Sequence, residues 1–320
     1  MRAGSAQQDD PWVAAMRRGD FQSAWHISDA VLSQRRADRI ECSAWPRHLQ
    51  FIWNGASFDR RRVLVRCYHG LGDTIQFVRL LGRLRQRAAH VTLWAQAPLI
   101  ELLRGVTGID TLLPLHDGVP AADYDVDMEL MELPHALRVT LQDIQIQAPY
   151  IYSPLVNCRP HGELMHVGIV WRAGEWDERR SILTPLLAPL RRLPNIRWHS
   201  LQYPQEALPF RADNIASRSI AQTAARMREL DLVISVDTMT AHLAGASGIP
   251  VWTLLPHAAD WRWFDHPTRS LWYPTMRLVR QRAPGGWPAV IEQLAASLRA
   301  LTPPPAERCT RSDGCTASSG

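Results

Sequence analysis

The sequence predicts an α/β protein made of two similar nucleotide-binding units that face each other across a cleft. Two observations carry this. Short runs of Val, Ile and Leu alternate with amphipathic segments along most of the chain, as parallel strands covered by helices on both faces require. Two of those runs end in tight turns that open a helix: Val63-Leu64-Val65-Arg66-Cys67-Tyr68-His69-Gly70-Leu71-Gly72-Asp73-Thr74 and Leu232-Val233-Ile234-Ser235-Val236-Asp237-Thr238-Met239-Thr240-Ala241-His242. The helix in each presents its amino end to the turn, where unpaired N–H groups and the positive end of the dipole favour an anion.

Composition bounds the function classes. A chain of 320 residues, 46% hydrophobic, has room for about two domains of ~100–200 residues, each with a core. No stretch approaches ~18 uncharged apolar residues, so no membrane span is expected. Residues 1–10 lack the apolar centre of an export signal. Cys42, Cys67, Cys158, Cys309 and Cys315 are scattered without zinc or redox spacing, which points to reduced thiols in a cytoplasmic protein. All 36 basic residues are arginine. That excludes a lysine Schiff base, a P-loop lysine and a lysine base, and leaves any phosphate to arginine, backbone N–H groups, hydroxyls or histidine. The net charge of +5 is modest, the arginines are interleaved with acids, and no nucleic-acid motif is present, so no nucleic-acid partner is expected.

Taken in order, residues 10–34 read as a helical hairpin. Trp12, Val13 and Met16 form one apolar stripe, Gly19-Asp20 breaks it, and Phe21, Ala24, Trp25, Ile27, Ala30 and Val31 form another. Its Gly-Asp-Phe-x-x-Ala pattern resembles a fragment of a tetratricopeptide repeat. One hairpin cannot form a solenoid, so it is expected to pack on the main body. The first α/β unit starts at Arg62, with strands expected at 63–67, 90–94, 111–115 and 124–128 and helices at 74–86 and 99–106. Residues 149–162 contain three prolines and read as a linker. The second unit has strands expected at 166–171, 197–201, 232–236 and 251–255, with helices at 183–192, 220–230 and 240–247. A last helix is expected at 288–301, and Thr302-Pro303-Pro304-Pro305 opens a polar tail expected to be disordered.

Three segments could carry chemistry. In the first turn, Gly70 and Gly72 allow a ligand to approach the backbone. Asp73 then reads either as a helix cap or as a general base facing the cleft. His69 is a second cleft candidate, Gln76 could reach a ligand, and Arg79 reads as a solvated surface group. In the second turn, Asp237 ends a buried strand, and Thr238 and His242 share a helix face. A diphosphate could accept bonds there from the Met239 and Thr240 amides and the Thr238 hydroxyl, with Asp237 on sugar hydroxyls and His242 on phosphate or sugar oxygen. The alternative is a capped helix with His242 satisfied in the core. The third segment, residues 171–181, follows a strand and carries Arg172, Arg179 and Arg180. It is either a diphosphate clamp or a charged loop internally paired with Glu175, Asp177 and Glu178. Finally, Asp123, Asp125 and Asp127 alternate on one strand face, which suits a divalent metal or, equally, a solvated sheet edge.

Together these residues resemble the family of ADP-heptose:lipopolysaccharide heptosyltransferases, in particular the branch carrying tetratricopeptide repeats before the transferase. The resemblance runs from about residue 58 to 298. It rests on Gly70-Leu71-Gly72-Asp73-Thr74-Ile75-Gln76-Phe77, Val167-Gly168-Ile169-Val170-Trp171, Arg180-Ser181-Ile182, Ser200-Leu201-Gln202, the stretch from Asp231 to Pro250, and Asp260-Trp261-Arg262-Trp263 with Trp272-Tyr273-Pro274. It implies a GT-B architecture, with a hairpin and lead-in at 1–57, a Rossmann-like acceptor domain at 58–155, a Rossmann-like nucleotide-sugar domain at 156–301 and a tail at 302–320. It implies inverting, metal-independent sugar transfer with Asp73 as base, no cofactor, and a nucleotide-sugar co-substrate such as ADP-heptose. His69, Gly70, Gly72 and Gln76 would line the acceptor side, and Ser181, Gln202, Asp237, Thr238, Met239, Thr240 and His242 the donor side. Family members often place a lysine near the donor phosphates, and here that role falls to Arg172 or Arg180. Met239 stands where a small residue is usual, and its bulk would narrow the donor pocket or change which sugar fits. The acceptor would be a glycan, a lipid-linked precursor or a protein, and peripheral membrane contact is compatible with it. The alternatives are a nucleotide-sugar epimerase of the same architecture and a degenerate, non-catalytic sugar-binding or scaffold protein.

Overall fold

The computed structural model describes residues 10–145, 148–152, 164–174 and 177–302. Its strands are β1 Arg62–Arg66, β2 His90–Ala95, β3 Thr111–Pro114, β4 Val126–Glu129, β5 Met165–Val170, β6 Ile196–Ser200, β7 Asp213–Asn214, β8 Leu232–Val236, β9 Val251–Leu255 and β10 Met276–Arg280. The α-helices are α1 Pro11–Arg18, α2 Phe21–Ala37, α3 Leu71–Phe77, α4 Leu81–Arg87, α5 Ile100–Leu103, α6 Leu133–Ala136, α7 Leu141–Ile144, α8 Ile220–Met227, α9 Met239–Ala246 and α10 Trp287–Leu301. They build two parallel sheets, one ordered β3-β2-β1-β4 and the other β10-β9-β8-β5-β6-β7, in a GT-B architecture. Val63, Leu64 and Val65 of β1 and Val233, Ile234 and Val236 of β8 are fully buried, as central parallel strands covered on both faces must be.

Several elements differ from expectation for local reasons. The helix expected at 74–86 starts earlier, at Leu71, because Gly70 serves as its cap, and a 3₁₀ turn at Val78–Leu80 separates α3 from α4. The segment expected as a helix at 183–192 is a 3₁₀ run, Thr184–Arg192, with Pro189 inside it; the missing proline N–H denies an α-helix its ladder there. β7 and β10, the two edge strands of the second sheet, were not anticipated. Most of the linker and of the carboxyl-terminal tail lie outside the described residues.

One continuous apolar core runs from the hairpin through the first sheet onto one face of the second. A separate core fills the other face of the second sheet beneath α10. The hairpin α1–α2 grips both halves. Trp12 meets Trp261 edge-on with ring centroids 5.2 Å apart, Phe21 meets Phe264 at 6.2 Å, and Arg17 pairs with Asp265 at 2.6 Å. On its other side the Trp25 indole donates to the Val139 carbonyl at 2.8 Å, and Asp29 accepts from Arg138 at 2.6 Å and lies 2.9 Å from His135. Most of the hairpin's apolar residues are therefore covered by the body itself, while Ala30 and Val31 of the second stripe stay exposed. No described helix is long and apolar enough to cross a membrane.

Candidate active site

The sheet orders place one reversal between β1 and β4 and another between β5 and β8. Parallel α/β sheets bind ligands at the carboxyl ends of such strand pairs. The Gly70–Asp73 turn follows β1 and the Asp237–His242 turn follows β8, so both turns stand at these positions. They also touch each other. A Cβ placed on Gly72 would lie 2.9 Å from His242 Cδ2 and 3.4 Å from Met239 Cα, so only glycine lets α3 seat against α9 at this point.

Asp73 both caps and faces the opposite half. Its Oδ2 accepts the Gly70 amide at 2.8 Å, tying the third residue of α3 back to the N-cap, while its Oδ1 is hydrogen-bonded by Arg262 Nη1 from the second half. Burial alone would raise this carboxyl, but the Arg262 guanidinium prevails and holds it below the ordinary carboxylate range. Arg262 Nε donates to Asp260 Oδ1 at 2.9 Å. Burial works against the guanidinium charge, but Asp260, Asp73 and Asp237 outweigh it, so Arg262 stays charged. The turn that carries Arg262 is pinned from several sides. The Trp272 indole donates to the Arg262 carbonyl at 2.6 Å, and Arg280 Nη2 donates to the carbonyls of Trp263 and Phe264 at 2.6 and 2.7 Å.

Beside Asp73, His69 Nδ1 lies 3.0 Å from Oε1 of the buried Glu129 at the end of β4. Burial opposes a charge on the imidazole, yet Glu129, aided by Asp73, raises its pKa above the usual value. Gln76 departs from the expected ligand contact: it is fully buried, and neither amide atom finds a partner among the described residues. Arg79, expected to be solvated, is buried as well. Its Nη1 donates to the Ile144 and Trp272 carbonyls at 3.2 and 2.6 Å, and its guanidinium lies 4.5 Å from the Tyr150 ring and 4.8 Å from the Tyr273 ring. Residues of both halves, Ile144 and Tyr150 from the first and Trp272 and Tyr273 from the second, cover it.

In the second turn Asp237 is buried, and desolvation raises its carboxyl despite the nearby Arg262. Thr238 is the N-cap residue of α9, and its hydroxyl lies 2.9 Å from that of Ser235. Met239 and Thr240 form the first turn of α9, with the Met239 backbone at the contact with Gly72 and its partly buried side chain packed against the core. His242 is not placed as a cationic phosphate ligand. It is 2% exposed, shares a 2.9 Å hydrogen bond with the Tyr273 hydroxyl and stacks on Trp263 at 5.2 Å. Burial, reinforced by Arg262, pushes its pKa down to about 3, so the ring is neutral. The approach of Tyr273 depends on Gly245, where a Cβ would come within 2.5 Å of the Tyr273 ring.

The expected arginines divide. Arg180 reaches the second turn, donating from Nη1 to the Asp237 carbonyl at 2.8 Å. Arg172 is half-exposed and faces Glu206 at 3.3 Å. Arg179 pairs with Asp177 at 2.8 Å, as the charged-loop alternative anticipated; Glu175 lies outside the described residues. Ser181 Oγ accepts the Ala173 amide at 3.0 Å, and Gln202 Oε1 accepts the Trp171 and Arg172 amides at 3.3 and 3.0 Å, so both brace the 171–181 loop. The alternating acids are paired with arginine: Asp123 and Asp125 with Arg62, Asp127 with Arg66. Among the described residues no group of three His, Cys, Asp or Glu side chains could hold a metal ion.

Sequence reasoning did not single out Arg262, Glu129 or Tyr273 as site residues. Arg262 did leave a signal: it lies in the Asp260-Trp261-Arg262-Trp263 motif of a chain that must use arginine wherever a cation is needed.

No family model matches the chain, and no curated protein matches it. Solved structures do match in fold. The iron-containing dodecameric glycosyltransferase TibC from enterotoxigenic E. coli H10407 is similar over 76% of this chain and 77% of its own, with a TM-score of 0.51 at 11% identity. E. coli heptosyltransferase WaaC with ADP-2-deoxy-2-fluoro heptose is similar over 74% of this chain and 99% of its own, with a TM-score of 0.49 at 12% identity. A glycosyl transferase family 9 structure from Veillonella parvula DSM 2008 covers 70% of this chain and 87% of its own, with a TM-score of 0.47 at 13% identity. The fold is thus shared with a GT-B-like glycosyltransferase.

Proposed function

We propose that this protein is a glycosyltransferase that moves a sugar from a nucleoside-diphosphate donor to a hydroxyl acceptor with inversion, without a metal ion. The observation that carries the reading is the confrontation of Asp73, at the carboxyl edge of one parallel sheet, with the Asp237–His242 turn at the carboxyl edge of the other. The acceptor oxygen attacks the anomeric carbon, the bond from that carbon to the diphosphate oxygen breaks with its electron pair going to the diphosphate, and the acceptor proton passes to Asp73. A carboxylate held ionised is suited to that proton, which leaves the hydroxyl only as the new bond forms. Negative charge grows on the diphosphate, where the amino end of α9 together with Arg180 and Arg262 would stabilise it more in the transition state than in the ground state.

ADP-heptose is the first donor to test, as the co-substrate that the sequence resemblance implies. In this reading residues 58–155 hold the acceptor, residues 156–301 hold the donor, and the hairpin is a repeat-like remnant that now braces the body. The acceptor is an envelope glycan precursor, lipid-linked or not, or a protein. The test is transfer from a panel of nucleotide sugars by the intact chain. Wild type should transfer from at least one, and Asp73→Asn and Asp237→Ala should each abolish most of it; unchanged transfer in both variants would overturn the reading. The degenerate, non-catalytic alternative is favoured by one observation, the direct packing of Gly72 on His242. It predicts that calorimetry finds no nucleoside-diphosphate binding.

A further inference from the structure

We infer that Arg262 is an exchangeable counter-ion, held by Asp73 when no donor is bound and passed to the diphosphate when one is. The inference rests on the function proposed above and adds a residue with a defined task to it.

The geometry is that of a guanidinium shared between the halves. Arg262 Nε is fixed by Asp260 Oδ1, two residues earlier in the turn, while Nη1 reaches across to Asp73 Oδ1. Of these two carboxylates only Asp73 belongs to the opposite half, and it has a second tie of its own through the Gly70 amide. Losing Nη1 would therefore leave both carboxylates with a partner, Asp260 keeping Nε and Asp73 keeping Gly70. A guanidinium carries five donors in a rigid fork and suits phosphate oxygens as well as carboxylates, so one partner can be traded for another while Nε stays anchored.

Arg262 is also close enough to Asp237 for the two charges to act on each other, and Arg180 donates to the carbonyl of that same residue. Two guanidinia therefore converge on the turn where α9 presents its first amides. The pairing with Asp73 occupies one of the oxygens that would take the acceptor proton. A diphosphate arriving at α9 would compete for Nη1 and, by winning it, free that oxygen as the leaving group becomes neutralised. In a chain without lysine, one arginine then does two things in sequence: it keeps the base ionised at rest, and it carries the leaving-group charge during reaction.

The prediction is a coupling that a purely structural arginine would not produce. Isothermal titration of the full-length chain with inorganic pyrophosphate should give binding to wild type that is weakened about tenfold or more in Arg262→Gln, the range expected for losing a charge-assisted bond. Asp73→Asn should bind pyrophosphate several-fold more tightly than wild type, because the competitor for Nη1 has lost its charge. In the double variant Asp73→Asn/Arg262→Gln that gain should largely vanish relative to Arg262→Gln alone, which isolates the pairwise term. Arg262→Lys should fall between wild type and Arg262→Gln, and it carries the same cycle if Arg262→Gln does not fold. Equal affinity in wild type and Arg262→Gln, or a gain from Asp73→Asn that persists in the absence of Arg262, overturns the exchange while leaving the transferase reading intact. Absence of binding of both pyrophosphate and nucleoside diphosphates to wild type overturns the reading beneath it.

Discussion

The Gly70–Asp73 turn and the Asp237–His242 turn are built from the same grammar, a buried strand, a sharp turn and a helix, yet they hold their polar groups in opposite states. In the first, Asp73 is kept ionised by Arg262 and His69 is pushed toward its charged form by Glu129. In the second, burial raises the Asp237 carboxyl and drives His242 to its neutral form. The difference comes from what folding packs around each turn. Asp73 is hydrogen-bonded by a guanidinium from the other half, whereas the second turn is desolvated and its His242 is enclosed by the rings of Trp263 and Tyr273 from its own half. A local motif thus fixes where a carboxylate stands, whereas the groups packed around it fix its charge.

The strongest way to break this comparison is Asp73→Asn. It should lower transfer about 10²–10⁴-fold, the range for removing a general base. Its melting temperature should fall, because the buried Arg262 loses one of its charged partners, even though asparagine keeps an oxygen for the Gly70 amide. A wild-type rate in a transfer assay would remove Asp73 from the chemistry.

Gly72→Ala tests the contact between the turns. The new methyl would press on His242 Cδ2 and must displace the ring or part the helices, at a cost of about 1–3 kcal/mol as for other overpacked sites. Urea denaturation would read this loss, and hydrogen exchange should show it concentrated in α3 and α9.

The two histidines sharpen the comparison through their signs. His242 resists protonation when folded, so the unfolded chain binds the extra proton. Stability should therefore fall as pH drops below about 6.5, by up to ~1.4 kcal/mol per pH unit for this one group, and imidazole resonances should show no His242 titration between pH 5 and 8. His69 has the opposite sign. Its contribution is complete below the unfolded histidine pKa and is lost as pH rises through its raised folded value, so its resonance should titrate above the usual midpoint. Glu129→Gln should bring that midpoint down.

The smallest effect belongs to Arg172→Ala. The exposed pair with Glu206 predicts a stability change within about 0.5 kcal/mol by thermal melting, and a large loss of pyrophosphate affinity would show that Arg172 does reach the donor.

What the sequence determined by itself was periodic and local. Apolar runs gave eight strands between Val63 and Leu255 within a residue or two but missed the two-residue β7, glycine and aspartate marked both turns, and Trp12 and Phe21 announced a hairpin whose apolar faces had to be covered. These follow from backbone geometry and burial, which act over a few neighbouring residues. What only the tertiary structure decided was which groups meet across the chain. Arg79 reads as solvated until Tyr150 and Tyr273 close over it, His242 reads as a ligand until Tyr273 and Trp263 enclose it, and Arg262 lies 189 positions from the carboxylate it pairs with. Charge state depends on desolvation and on partners brought together by folding, and no window of neighbouring sequence contains either.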